Sequence, residues 1–177
     1  MLAAGLDPRS PTRAGCDTAV QMMQKAKSDG IVRNVLGNAY TEDLVAGDAV
    51  LVMAWSGDIV GLQADSPNLK FVFPDEGVMF WTDNCVIPKG AAHKGTAELM
   101  IDWCYEPEHA AQIESAIAYV TPVKGVQEIF QQTKPALATD PLRFPPPELE
   151  PRLVPFGILN EDDEKYFNEQ FAKVIGV

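Results

Sequence analysis

The sequence predicts an α/β fold, and three observations carry that reading. Residues 49–54, Ala-Val-Leu-Val-Met-Ala, form an almost continuous apolar run, the pattern of a strand covered on both faces rather than one. Short extended segments alternate along the chain with segments of helical apolar periodicity, each set off by glycine or proline. No internal repeat or low-complexity tract interrupts that alternation.

Residues 18–27 read as a helix: Asp17 or Thr18 stands near its start, Gly30 lies just beyond its end, and Ala19, Met22, Met23 and Ala26 share one face. Residues 31–36 are a strand candidate, and 40–46 a short helix closed by Gly47. The apolar strand of residues 48–55 follows, broken by Ser56-Gly57-Asp58 before a helix at 59–64. Extended segments are expected at 69–73, stopped by Pro74, and at 78–87, stopped by Pro88. Residues 96–106 have helical spacing, with Ala97, Met100, Ile101 and Cys104 on one side. Pro107 suits the first turn of the next helix, running to Ala116, and 123–131 carries a weaker helical pattern. Proline content, including Pro145-Pro146-Pro147, makes 135–155 an irregular crossing. Residues 161–175 close the chain as an amphipathic helix with Tyr166, Phe167, Phe171 and Val174 on its apolar side.

Composition narrows the function classes. Of 177 residues, 46% are hydrophobic and 22% charged, ordinary values for a globular chain. The net charge of -11 argues against nucleic acid as a partner, since duplex binders present basic patches. Such an acidic surface also attracts cations, although solubility alone accounts for it. Cys16, Cys85 and Cys104 are odd in number and lack metal spacing, so neither a disulfide framework nor a zinc site is expected; Cys85 and Cys104 read as small buried hydrophobes. His93 and His109 read as exposed, and Trp103 as packing. No nucleophile elbow, His-Glu-x-x-His or phosphate loop occurs, so a binding protein is expected rather than an enzyme, with no catalytic residues and no cofactor. No stretch reads as a signal peptide, and residues 1–8 read like the end of a helix running into a turn, as in a chain continuing from a longer one.

Four motifs in order carry a family resemblance. A strand ends in Trp55-Ser56-Gly57; Pro74-Asp75-Glu76-Gly77 leads into Trp81-Thr82-Asp83; Ile87-Pro88 precedes the helix with Ala97-Glu98-Leu99-Met100-Ile101-Asp102 and the proline-led helix with Ala110-Ala111; and Tyr119-Val120-Thr121-Pro122 follows. Together they resemble the spermidine and putrescine receptors of ABC importers, most strongly over 40–125 and thinly from Pro135 onward. The resemblance implies a two-lobed periplasmic-binding-protein-like fold of type II, of which this chain supplies the carboxy-terminal portion. Residues 1–81 would belong to the second lobe and 82–143 to the first, with 144–177 returning to the second. It also implies an extracytoplasmic location, a permease partner, and a further amino-terminal stretch completing both lobes. A half receptor would expose apolar faces and sheet edges, so dimerisation by exchange or pairing with a complementary half is expected.

The same resemblance puts Trp55, Trp81, Asp83 and Tyr119 at ligand-contacting positions, and their chemistry suits a polyamine. A carboxylate accepts charge-assisted hydrogen bonds from an ammonium. Tryptophan and tyrosine faces attract the cation by about 0.5–2 kcal/mol and cover methylenes at about 0.8 kcal/mol per CH₂. Trp81 and Asp83, two apart on an extended segment, can share a face. Singly, each residue reads more readily as core or turn; the motif order favours function for Trp81 and Asp83, then Trp55, then Tyr119. Glu76 is equally a turn residue. The acidic run Glu161-Asp162-Asp163-Glu164 suits a helix start rather than a cation site. No polar amide matches the family near Leu153-Val154-Pro155-Phe156-Gly157, which leaves putrescine against spermidine open, beside another small amine or an amino acid derivative.

Overall fold

A computed structural model describes residues 1–176. These residues gather into two units, one of Met1–Ala39, Phe73–Trp81 and the described residues from Pro151 onward, the other of Tyr40–Val72 and Thr82–Glu150.

In the first unit, Thr12 opens helix α1 (Arg13–Ser28), its hydroxyl accepting from the Gly15 amide at 3.1 Å. That bond satisfies an amide with no partner inside the helix. Lys25 and Lys27 in the last turn suit the negative end of the helix dipole. The closing helix α8 (Glu161–Ile175) is capped by Asn160, which accepts from the Asp163 amide at 2.9 Å, and four acids fill its first turn. The two helices pack through Cys16, Val20 and Val174, with Phe167 against them. Tyr166 donates to Asp17 at 2.6 Å, and Arg13 pairs with Asp163 at 2.6 Å while standing 4.9 Å over the Tyr166 ring.

Strands β1 (Val78–Phe80) and β2 (Leu153–Pro155) pair in parallel, Val78 with Leu153 and Phe80 with Pro155. Gly77, at φ 125°, lets β1 start: a Cβ there would stand 3.2 Å from the Arg152 carbonyl oxygen. Arg152 donates to the Phe73 and Pro74 carbonyls and pairs with Asp75 at 3.2 Å, tying the two chain segments just before the strands.

The second unit is helical: α2 (Tyr40–Ala46), α3 (Ser56–Leu62), α4 (Lys94–Tyr105), α5 (Pro107–Ile117), α6 (Val126–Thr133) and the single turn α7 (Pro135–Ala138). Ala110 and Ala111 of α5 admit Val126 and Phe130 of α6, with Ala138, Ile129, Leu137 and Phe144 closing the cluster. Phe144 meets Phe130 edge-on, centroids 5.8 Å apart, a favoured aromatic geometry. Beside this core Glu114 and Arg143 are 1% and 6% exposed and joined at 2.7 Å. Asp140 Oδ2 stands 3.4 Å from Arg143 Nε without hydrogen-bond geometry, and Glu114 Oε2 has no hydrogen-bond partner among the described residues.

The observed helices follow the expected ones closely, and the strands do not. Among the described residues only β1 and β2 form a sheet. The expected strands at 31–36, 48–55 and 69–73 do not form strands, 78–87 is strand only over Val78–Phe80, and the irregular tract 135–155 contains α7, a 3-10 segment at Pro147–Arg152 and β2. A strand exists through its hydrogen-bonded neighbours, and an apolar run supplies none by itself. Val50, Leu51 and Met53 are accordingly 97%, 85% and 95% exposed. Cys85 is exposed and Cys104 half-buried, against the expectation of burial; Cys16 is the buried thiol, its pKa pushed up by burial and then by the charge of Asp17. His93 is exposed as expected, but His109 is half-buried beneath Trp103, the two rings stacked at 3.9 Å. Trp103 nonetheless stays substantially exposed, so it packs on one face only. No described helix is long and apolar enough to cross a membrane, and no three metal-ligating side chains cluster among the described residues.

Candidate functional site

The clearest polar constellation in the second unit forms where the extended chain turns into α3. Trp55 is the last extended residue (φ -77°, ψ 137°), and Ser56, Gly57 and Asp58 make the first turn of α3. Asp58 stands in the first turn of α3, three residues after Trp55. Its carboxylate is held from both ends: Tyr40 donates to Oδ2 at 2.7 Å and Tyr119 donates to Oδ1 at 3.2 Å. The Tyr40 oxygen also accepts from the Trp55 backbone amide at 3.0 Å, so one buried hydroxyl fixes both the start of the turn and its acid.

Two backbone features bring Tyr119 there. Ala118 ends α5 in the left-handed region at φ 60°, the only described non-glycine residue with a positive φ, and turns the chain immediately before Tyr119. That conformation costs a non-glycine residue about 1–2 kcal/mol, a strain of the kind that marks functional sites. Gly57 then removes the obstacle: a Cβ at that position would fall inside the Tyr119 ring.

Electrostatics keep both phenols as donors. The Tyr40 hydroxyl is pushed up to about 12, by burial first and then by its hydrogen bond to Asp58. Tyr119 is raised by burial and then by the charge of Asp58, with Asp83 adding to it. Near neutral pH both therefore remain protonated and hydrogen-bond the carboxylate. Each carboxylate oxygen has two lone-pair sites and one phenol partner, which leaves Asp58 able to accept from a further donor. Trp55, whose amide bonds the same Tyr40 hydroxyl, is partly exposed. A half-buried carboxylate held by two phenol hydroxyls is suited to a cation with N–H groups.

Of the residues expected from sequence, the structure brings Trp55 and Tyr119 together about Asp58. Asp83 belongs to the same unit and is exposed. Trp81 belongs to the first unit, where its ring meets Phe156 at 6.5 Å, tilted by 54°. Asp58 and Tyr40 were not anticipated. The i, i+3 spacing from Trp55 was the available signal for Asp58; Tyr40, eighteen positions upstream of the acid it holds, had none.

Comparison with known proteins places the chain in a family. Residues 1–145 match the model of a bacterial extracellular solute-binding protein family. The spermidine/putrescine-binding periplasmic protein of Salmonella typhimurium is 33% identical over 109 residues, covering 61% of this chain and 29% of that protein. Its Escherichia coli namesake is 33% identical over 112 residues, covering 63% and 30%. The putrescine-binding periplasmic protein PotF of Escherichia coli is 22% identical over 178 residues, covering 96% and 46%. The chain thus spans about a third of the first two relatives' length and just under half of the third's. Its helices and short parallel strand pair are part of an α/β solute-binding fold, and the chain belongs to the bacterial extracellular solute-binding proteins.

Proposed function

We propose that this chain is the part of an ABC-importer receptor that holds a polyamine, spermidine or putrescine, through carboxylates and aromatic faces. The observation that carries the proposal is the Asp58 carboxylate gripped by Tyr40 and Tyr119 beside Trp55. In this reading Asp58 accepts from one ammonium group, Trp55 and Tyr119 flank the methylenes, and Asp83 supplies a second carboxylate; Trp81 is proposed as a ligand contact on the motif order alone. Similarity to spermidine/putrescine-binding and putrescine-binding proteins supports the ligand class, and the order of the four motifs supports Trp55, Trp81, Asp83 and Tyr119.

The whole receptor would bind its ligand between two lobes, close on it and present the closed form to a membrane permease outside the cytoplasm. The lobe assignment (1–81, 82–143, 144–177) is part of the same proposal; the unit boundary between Trp81 and Thr82 supports its first crossing, while residues 40–72 gather with the second unit. Pairing with a complementary half, or exchange between two copies, would cover the apolar residues left open in this chain.

Calorimetric titration with spermidine, putrescine and a neutral diol of similar length tests the ligand class. The amines are expected to bind and the diol not, with Asp58→Asn and Asp83→Asn each weakening binding more than about tenfold, near 1.4 kcal/mol. Preference for an anionic solute would overturn the reading. Stronger binding of an amino acid derivative in the same panel would move the ligand to another small amine.

A further inference from the structure

We infer that Tyr40 is a positioning residue for amine recognition, acting through Asp58 and the Trp55 backbone without touching the ligand. The inference rests on the reading of Asp58 as an ammonium anchor. Tyr40 opens α2 and is buried, 8% exposed, and its oxygen makes two bonds of opposite sense. It donates to Asp58 Oδ2 at 2.7 Å and accepts from the Trp55 amide at 3.0 Å. These two bonds use the hydroxyl's one proton and one of its two lone pairs. The atoms they fix are the two that matter for orientation: the acid, and the backbone from which the Trp55 side chain springs.

Without this hydroxyl the carboxylate would lose its shorter phenol bond and keep the longer one to Tyr119, at 3.2 Å from Oδ1. Its rotation about the side-chain bonds would no longer be restrained at Oδ2. The Trp55 amide would lose its acceptor as well. An ammonium ion would then meet a carboxylate that it must first orient, which weakens binding through lost pre-organisation rather than through a lost contact. The ring of Tyr40 carries the packing and the hydroxyl carries the positioning, so the two are separable by one atom.

The test is Tyr40→Phe in the full 177-residue chain, alone and combined with Asp58→Asn, with putrescine and spermidine as the probes. Affinity is read by calorimetry at a temperature where thermal unfolding shows every variant folded. We expect Tyr40→Phe to weaken binding about threefold to tenfold, the range of one net hydrogen bond. In the Asp58→Asn background it should weaken binding by a smaller factor, because the hydroxyl then has no carboxylate to aim and only the Trp55 backbone left to hold. The Trp55 amide resonance supplies a signature that packing alone would not move: amine saturation should shift it in the unsubstituted chain and leave it unshifted in Tyr40→Phe. If Tyr40→Phe does not fold, the resonance in the unsubstituted chain decides, and an unmoved Trp55 amide at saturation overturns the inference. If Asp58→Asn weakens binding while Tyr40→Phe matches the unsubstituted chain, the positioning role fails and the site stands. If Asp58→Asn binds amines normally, or the unsubstituted chain binds none, the reading of the site fails and this inference falls with it.

Discussion

The Tyr119 ring lies directly over the backbone of Gly57, occupying the space that a Cβ at position 57 would need. A flexible chain end could move aside, but this ring is also held by its hydroxyl bond to Asp58. Gly57→Ala should therefore destabilise the second unit by about 1–3 kcal/mol, the range for overpacking, and should displace Tyr119 from Asp58. Combining it with Tyr119→Ala should recover part of that loss, because the obstructing ring is gone. Urea unfolding of the single and double variants measures both effects; strictly additive losses would show that the two residues do not press on each other.

Tyr40 links the site to alkaline stability. Its folded-state pKa is raised from 10.0 to about 12, so the folded chain retains a proton that the unfolded chain has released. The unfolded state then binds fewer protons than the folded state between those values, and stability falls as pH rises across that window. Below pH 10 the contribution is fully present. Tyr119 shifts in the same direction and adds to the slope. Tyr40→Phe should flatten the dependence of unfolding free energy on pH across this window while leaving some slope from Tyr119. An unchanged slope would mean that Tyr40 does not titrate from its position beside Asp58.

Arg143 and Glu114 form the one ion pair in which both partners are buried among the described residues. Arg143→Met would leave the Glu114 carboxylate in a nearly dry setting with one oxygen already lacking a partner. Removing one member of a buried pair costs about 3–5 kcal/mol, whereas replacing both by apolar groups is often close to neutral. We expect Arg143→Met to fall in that range and the double replacement Glu114→Leu with Arg143→Met to be less destabilised than the single one. Chemical denaturation of the three variants reads this directly. A single-variant cost below about 1 kcal/mol would indicate that water reaches the pair.

Helices were legible in the sequence where both ends carried a local signal. The final helix spans Glu161–Ile175, as its acidic start and apolar spacing indicate, and Tyr40–Ala46 likewise has the expected bounds. The first long helix begins five residues earlier than expected because Thr12 supplies the cap, accepting from the amide of Gly15, and that glycine in the first turn does not stop the helix. Strands were less legible because pairing is a relation between distant segments. Leu153–Pro155 lies in a proline-rich tract and still forms a strand, since β1 supplies its neighbour and a terminal proline is tolerated there. Residues 49–54 have every local preference for a strand and form none. The site divides in the same way. Trp55 and Tyr119 were marked by motifs, whereas Asp58 and Tyr40 become partners only when α2, α3 and the end of α5 come together.

The exposed run beside Trp55 gives a prediction about association. Val50, Leu51 and Met53 stand almost fully open to solvent on a chain segment with no strand partner. Such an apolar, unpaired segment is a template for another chain. Replacing Leu51 with lysine removes no packing inside the second unit, since the residue is 85% exposed, so stability should change by less than about 0.5 kcal/mol. Self-association should nevertheless fall, because a charge on an open edge opposes pairing with a second copy. Light scattering across a concentration series, with thermal unfolding as the control, separates the two effects. Equal association by the Leu51→Lys, Met53→Lys and unsubstituted chains would place the self-association surface elsewhere. A large loss of stability in either variant would instead mean that residues 49–54 are covered within the folded chain, as their apolar pattern demands.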